Sequence, residues 1–179
     1  MEKATFGGGC FWCTEAIFKR LKGVKTVQSG YSGGDMHDPS YEAVSEGSTG
    51  HAEAVQVEFD PTVVSYSTLL SVFWATHDPT TLNRQGNDVG TQYRSVIFYH
   101  SDKQKEEAEK SKEAHRKEFS EKIVTDIIPF ENFYKAEEYH QNYFERNSSY
   151  PYCSYVIAPK VQKLLEKFGD KVKEEYKSH

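Results

Sequence analysis

Alternation of apolar and polar residues predicts the strands of this chain. Val55, Val57 and Phe59 are separated by single polar residues, the spacing of a strand with one buried face, and Asp60-Pro61 ends it. Short apolar runs predict the remaining strands, over residues 4–6, 24–29, 94–99 and 123–128.

A helical period occupies the stretches between these strands. Cys13, Ile17 and Leu21 recur every fourth residue and predict a helix over residues 10–21. Further helices are predicted around the apolar face of residues 69–74, over the charged residues 102–119 capped by Ser101 or Asp102, over 137–146 and over 159–168. The segments 30–39 and 78–91 are expected to be loops, and the polar tail after Gly169 is expected to fray.

This mixed order of strand and helix signals predicts one α/β domain, of the α+β kind, over residues 1–179, with a mixed β-sheet and flanking helices. A chain of 179 residues is long enough for one complete hydrophobic core. Its net charge of -5 gives no electrostatic support for binding nucleic acid or an anionic membrane. No apolar run is long enough for a transmembrane helix or a signal-peptide core, so we expect a cytoplasmic location, where cysteines remain reduced.

The candidate chemistry lies in the cysteines. There are three, an odd number, so they do not form a disulfide framework. Two stand in the stretch GGGCFWCTE, residues 7–15, which follows a predicted strand. Cys10 then lies at the N-terminus of the predicted helix, where unpaired backbone N–H groups and the helix dipole favour a thiolate and lower the thiol pKa. The glycines allow the backbone to approach a substrate closely.

Cys13 lies one helical turn beyond Cys10, and the two Cα atoms are expected about 5 Å apart, within disulfide range. The residues leave three interpretations open: a redox pair, part of a metal site, or buried and inert thiols. Zinc usually requires four Cys or His ligands, and no histidine stands near the third cysteine, Cys153. A thioredoxin-type module has its tryptophan before the first cysteine, whereas Trp12 lies inside this pair. A tryptophan at this position is suited to line a pocket for a methyl group.

Several longer motifs resemble those of a known family. They are GCFW at residues 9–12, GHAEAVQVEFDP at 50–61, HDPTTLNRQGNDVGTQYRS at 77–95 and YHQNYF at 139–144. In this order they resemble the A-type peptide methionine sulfoxide reductases. The resemblance implies a ferredoxin-like core with an irregular C-terminal segment, and an enzyme that repairs oxidised proteins by reducing the S epimer of methionine sulfoxide, free or in proteins. It also implies that no metal or cofactor is required, that thioredoxin is the reductant, and that the protein is a monomer.

The resemblance assigns the reacting groups. Cys10 matches the attacking nucleophile, Phe11 and Trp12 match the pocket for the substrate's S-methyl group, and Glu53 matches the acid that protonates the sulfoxide oxygen. The chemistry requires such a pair, because a sulfoxide sulfur is electrophilic only when its oxygen is protonated or strongly hydrogen-bonded. Burial beside aromatic residues would raise the pKa of Glu53 enough for proton donation at neutral pH. Without the resemblance, Glu53 would be an exposed carboxylate at a strand end.

The remaining site residues surround the oxygen or regenerate the thiol. Tyr41, Asp88 and Tyr93 match the polar residues that hold the oxygen and water, although each alone is a common turn or core-edge residue. Attack leaves Cys10 as a sulfenic acid, which a second thiol converts into a disulfide. Cys153 matches the recycling cysteine, in a segment with few helical signals that is expected to move. The sequence therefore predicts that Cys153 attacks first and that Cys13 accepts the disulfide afterwards or acts as a backup.

Two departures from the family pattern concern this recycling. Many members have glycine in place of Cys13, and many have a second C-terminal cysteine that this chain lacks. Three histidines stand inside the matching motifs and are expected to be structural: His51, His77 and His140. The alternative function is redox sensing, in which Cys10 and Cys13 simply oxidise and reduce.

Overall fold

The computed structural model of the protein describes residues 1–177, which form a mixed sheet with flanking helices. The strands are β1 (Glu2–Gly8), β2 (Val24–Ser32), β3 (Ala52–Phe59), β4 (Arg84–Gln85), β5 (Asp88–Val89), β6 (Ser95–Tyr99), β7 (Asp126–Pro129) and β8 (Tyr134–Lys135). The helices are α1 (Phe11–Phe18), α2 (Tyr41–Ser45), α3 (Tyr66–Thr76), α4 (Asp102–His115), α5 (Tyr143–Arg146) and α6 (Ala158–Phe168).

The main sheet has six strands in the order β7-β6-β1-β3-β2-β8, and β4 and β5 form a separate hairpin. β1 is antiparallel to both of its neighbours, while β6 and β7 are parallel. Two crossovers, β1–α1–β2 and β3–α3–β6, interleave so that the four central strands lie in the order β6-β1-β3-β2. This is the double β-α-β arrangement of a ferredoxin-like fold. The predicted fold class, a mixed sheet with flanking helices and a ferredoxin-like core, is confirmed.

The main core lies between the sheet and the helices α1 and α3. Because side chains alternate along a strand, Val55, Val57 and Phe59 of β3 all enter this core, as their spacing predicts. Phe6 of β1 pairs with Val55 and stacks on Phe18 of α1, with the ring centroids 5.0 Å apart. Any charged side chain on this face of β3 would therefore be buried beneath α1.

The observed boundaries follow the predictions at most elements, with differences where tertiary pairing intervenes. β2 extends through Ser32, beyond the predicted strand, because residues 30–32 pair with β3 and residues 30–31 also pair with β8. α1 ends at Phe18, before the predicted end at Leu21. The predicted loop 78–91 contains the β4–β5 hairpin. Ser101 caps α4, as predicted, by accepting a hydrogen bond from the backbone N–H of Gln104.

The C-terminal region is more ordered than its sequence suggests. The helix predicted over 137–146 is divided at Asn142, whose φ of 56° is left-handed. Cys153 was expected in a helix-poor segment, and this is wrong: residues 153–157 form a π-helical turn that continues directly into α6. The prediction that the tail frays is wrong for residues 169–177, because Val172 is buried and pairs with Leu21. Residues 178–179 lie outside the described residues.

None of the helices of residues 1–177 is both long and apolar enough to cross a bilayer.

Candidate active site

Cys10 lies at the predicted position, as the N-cap residue of α1. Its ψ of 127° is extended rather than helical, and its carbonyl accepts the first turn's hydrogen bond from the N–H of Cys13 at 3.1 Å. The side chain is only 7% exposed. Gly9 turns the chain from β1 into this cap with a φ of 96°, a conformation that L residues rarely adopt.

Replacement of Gly9 by alanine should therefore destabilise the turn that carries Cys10. A Cβ atom at Gly9 would meet the side chain of Gln85 at 2.7 Å, in addition to the strained φ. We expect the free energy of unfolding to fall by about 1–3 kcal/mol, measured by denaturant titration. Gly169→Ala is the matched control, because Gly169 has a φ of −54° and nothing within 4 Å of an added Cβ. Equal stability of the two variants would contradict this role for Gly9.

Glu53 stands on the buried face of β3, beside Cys10. It is 1% exposed, and its Oε1 accepts a hydrogen bond from the backbone N–H of Phe11 at 3.1 Å. The alternative of an exposed strand-end carboxylate is therefore wrong. Burial, followed by the charge of Asp88, raises the pKa of Glu53 to about 8, while the bonds from Phe11 and the Cys10 thiol act in the opposite direction. Glu53 thus carries a proton at neutral pH and can donate it.

The pKa of Cys10 does not follow the sequence-based prediction. Position at a helix N-terminus was expected to lower it, and the backbone N–H of Trp12 does act in that direction. Burial and the nearby charge of Glu53 outweigh this contribution and raise the pKa of Cys10 well above the ordinary thiol value. In the substrate-free protein Cys10 is therefore a neutral thiol, which lies beside a neutral carboxyl group.

The three predicted polar residues converge on this pair from separate elements. Tyr41 opens α2, where its backbone N–H donates to Glu137 Oε2 at 3.0 Å, and burial and the charge of Glu53 raise its pKa to about 12. Tyr93 ends a 3₁₀ turn before β6, and burial and the charges of Glu53 and Cys10 raise its pKa also. Asp88 begins β5, and its charge acts on both Cys10 and Glu53. The two tyrosines consequently remain hydrogen-bond donors.

Phe11 and Trp12 play different parts in the packing. Phe11 is fully buried and contacts the rings of Tyr31 and His140, with centroids 5.7 and 5.0 Å away. Trp12 is partly exposed, and its Nε1–H donates to His140 Nδ1 at 3.0 Å. One face of the indole is stacked on Tyr143, with a centroid distance of 3.7 Å and an interplanar angle of 5°. Trp12 is thus the aromatic residue that can present apolar surface to a substrate.

Sequence reasoning missed several residues that hold this site. His140, expected to be only structural, orients the Trp12 indole, and the YHQNYF motif was the signal that could have found it. Glu137 accepts from both Tyr31 and the N–H of Tyr41, and so joins β2 to α2. Tyr152 contacts both Asp88 and Cys13, yet nothing in the sequence around it indicates this.

The three cysteines are close to one another and reduced. Cys10, Cys13 and Cys153 share one buried cluster with Ala16 and Ile157, and all three are free thiols. The charge of Cys13 acts on Cys10, and the charge of Cys153 acts on Cys13. The cluster therefore brings Cys10 together with two further thiols.

A cap-position cysteine, an adjacent protonated carboxyl and neighbouring thiols within a ferredoxin-like fold together define a thiol-dependent oxidoreductase. Comparison with known proteins makes this more specific. The family model for peptide methionine sulfoxide reductase matches residues 2–172. The peptide methionine sulfoxide reductase MsrA of Sulfolobus acidocaldarius is 56% identical over 171 residues, covering 96% of this chain and 97% of that protein. This chain belongs to the peptide methionine sulfoxide reductase family.

Solved structures show the same fold. Mxr1 from Saccharomyces cerevisiae in reduced form superposes with a TM-score of 0.79 at 39% identity, covering 85% of this chain and 88% of that chain. Mxr1 in complex with Trx2 superposes with a TM-score of 0.56 at 31% identity, covering 79% of this chain and 84% of that chain. The resemblance first suggested by the sequence motifs is therefore confirmed.

Proposed function

We propose that this protein reduces methionine S-sulfoxide to methionine, with Cys10 as the nucleophile and Glu53 as the acid, in one domain over residues 1–179. The observation that carries the proposal is the buried Glu53 carboxyl, whose pKa of about 8 leaves it protonated beside the Cys10 thiol. A sulfoxide needs this combination, because its sulfur accepts a nucleophile only as its oxygen accepts a proton.

The proposed first step balances without a cofactor. Glu53 donates its proton to the sulfoxide oxygen while the sulfur of Cys10 attacks the sulfoxide sulfur. The thiol proton of Cys10 passes to the Glu53 carboxylate, to which the thiol is hydrogen-bonded. The oxygen is transferred to Cys10, so that methionine leaves with its sulfur reduced by two electrons and Cys10 becomes a sulfenic acid.

The surrounding groups are suited to bind the oxygen and the S-methyl group of the sulfoxide. Tyr41 and Tyr93 keep their protons and can hydrogen-bond to the oxygen, and Asp88 supports water or the tyrosines there. The partly exposed indole of Trp12, fixed by His140 and Tyr143, is suited to contact the S-methyl group, and Phe11 supports it from the core. The similarity to enzymes named peptide reductases supports oxidised proteins as substrates.

The simplest experiment separates this function from redox sensing. The reduced protein is mixed with one equivalent of a peptide that contains methionine sulfoxide, and the methionine peptide is followed by mass spectrometry. One methionine per chain is expected without any added reductant. Absence of methionine, with oxidation of Cys10 by peroxide retained, would favour the redox sensor.

Cys10 must then be regenerated through a disulfide that is afterwards reduced. For the order in which Cys13 and Cys153 react, the structure favours a different sequence of steps from the one predicted. The resemblance and the expected movement of its segment both favour Cys153, but Cys153 is fully buried in a helical turn. Cys13 lies one turn from Cys10, and the non-helical cap conformation of Cys10 allows it to rotate without breaking α1. We therefore propose that Cys13 closes the first disulfide and that Cys153 takes it over. The Mxr1–Trx2 complex supports a thioredoxin as the final reductant.

Thiol counting after a single turnover tests this order. Cys13→Ser is expected to accumulate the sulfenic acid or to slow the first disulfide, whereas Cys153→Ser should still form a Cys10–Cys13 disulfide. Peptide mapping by mass spectrometry identifies the linked cysteines. If Cys153→Ser alone blocks the first disulfide, the sequence-based prediction of a Cys10–Cys153 bond is restored.

A further inference from the structure

We propose that the hydroxyl group of Tyr152 relays the proton of Cys13 to Asp88, and so activates Cys13 for attack on the sulfenic acid of Cys10. The inference rests on the proposed function, since it concerns the step that follows methionine release. It adds Tyr152 as a catalytic residue and gives Asp88 a second role, that of the base for the resolving thiol.

The hydrogen-bond directions carry the inference. The Tyr152 hydroxyl lies 2.7 Å from Asp88 Oδ2, and since a carboxylate only accepts, the hydroxyl donates its single hydrogen there. The Sγ atom of Cys13 lies 3.8 Å from the same hydroxyl oxygen. With its hydrogen committed to Asp88, that oxygen accepts from the Cys13 thiol. The three groups thus form a chain from Cys13 S–H through Tyr152 O–H to the Asp88 carboxylate.

Packing holds the Cys13–Tyr152–Asp88 relay in place. The ring of Tyr152 contacts Trp12 edge-on, with centroids 5.8 Å apart. Burial, together with the charges of Cys10 and Cys13, raises the pKa of Tyr152 far above that of a free phenol. This favours the neutral hydroxyl, so Tyr152 is suited to receive one proton as it gives up another.

The other charges around Cys13 do not supply a base. Burial raises the pKa of Cys13. The charge of Lys160, and the hydrogen bond that the Tyr152 hydroxyl donates to Cys13 in its thiolate form, lower this pKa, while the charges of Asp88 and Cys153 raise it. Lys160 is a cation and can stabilise a thiolate but cannot accept its proton. Among these groups Asp88 is the acceptor that is connected to the thiol by a hydrogen-bonded path.

Formation of the Cys10–Cys13 disulfide requires no outside oxidant or reductant. The Cys13 proton moves to the Tyr152 oxygen as the Tyr152 proton moves to Asp88. The Cys13 sulfur attacks the Cys10 sulfur, the S–S bond forms, and the S–O bond of the sulfenic acid breaks. Both electrons of that bond leave with the hydroxide, which takes the proton of Glu53 and departs as water. The Cys10 sulfur is formally reduced by one electron and the Cys13 sulfur is oxidised by one; Asp88 then returns its proton to solvent and Glu53 regains one.

The test replaces Tyr152 by phenylalanine, which keeps the ring and removes the relay. Wild type and variant are mixed with one equivalent of a methionine sulfoxide peptide, and methionine and the Cys10–Cys13 disulfide are both quantified over time after acid quenching. We expect disulfide formation to be slowed by about 10²-fold relative to methionine formation, the lower end of the range for loss of a positioned base. The sulfenic acid should accumulate and be trapped by a cyclic 1,3-diketone.

Tyr155→Phe is the matched control, because Tyr155 lies in the same helical segment but is 82% exposed. It should leave both steps at the wild-type rate. If Tyr152→Phe forms the disulfide at the wild-type rate, or slows both steps equally, the relay is refuted. Failure of the wild type to form methionine would instead refute the proposed function itself.

A second measurement does not depend on turnover. In a protein that carries Cys10→Ser and Cys153→Ser, the ultraviolet absorbance of the Cys13 thiolate is followed against pH, with and without Tyr152→Phe. Once the Cys13 proton has left through the relay, the Tyr152 hydroxyl donates to the thiolate and so lowers the pKa of Cys13; its removal should therefore move the titration to higher pH. An unchanged titration would refute the contact between the hydroxyl and Cys13.

Discussion

Replacement of Cys10 by serine is expected to lower the rate of methionine formation in the first turnover by about 10⁴-fold or more, the scale on which loss of a nucleophile acts. Serine keeps the size of the side chain, but a hydroxyl is far less acidic than a thiol and a weaker nucleophile toward sulfur. The position is 7% exposed and carries no structural disulfide, so the fold should survive the change. Circular dichroism confirms the fold, and rapid-quench mass spectrometry measures the methionine.

The outcome is diagnostic because two other thiols lie in the same cluster. If Cys13 or Cys153 could act as the nucleophile, the Cys10→Ser protein would still release one methionine per chain. Such a burst would mean that the nucleophile has been assigned to the wrong cysteine.

Glu53→Gln should slow the same step by about 10²–10⁴-fold, the usual range for loss of a general acid. Glutamine preserves the shape of the side chain and can still accept the hydrogen bond from the N–H of Phe11. The variant therefore loses only the ability to donate a proton. Glu58→Gln is the matched control on the same strand, since Glu58 is half-buried at the far end of β3. An equal first-turnover rate for Glu53→Gln and wild type at neutral pH would show that Glu53 is not the acid.

The pH dependence of the first turnover gives an independent measure of Glu53. Its pKa is raised to about 8, so the carboxyl is protonated below that pH and loses its proton above it. Because the reactive form carries this proton, the wild-type rate should be level below pH of about 8 and fall above it. Glutamine does not titrate, so Glu53→Gln should lose this fall. A fall that persists in the variant would belong to another group.

The C-terminal region shows where prediction from the sequence was weakest. Its helical signals around Cys153 are sparse, yet residues 153–157 are helical because they continue into α6 and bury Cys153 and Ile157 against α1. Likewise, the tail is held by the pairing of Val172 with Leu21, a contact between residues distant in the chain. Neither contact leaves a local pattern, so neither could be predicted.

The sequence by itself determined the position of the proposed nucleophile. The strand, the glycines and the helical period place Cys10 at a helix N-terminus, a local consequence of backbone geometry. The residues alone left Glu53 as an exposed strand-end carboxylate, and only the tertiary structure showed that it is buried beside Cys10. Only the tertiary structure decided the protonation states, because burial and the proximity of Glu53 reverse the expected lowering of the Cys10 pKa. It also decided which groups meet: Tyr152 is 64 residues from Asp88 and 139 from Cys13, and no local pattern joins residues so far apart.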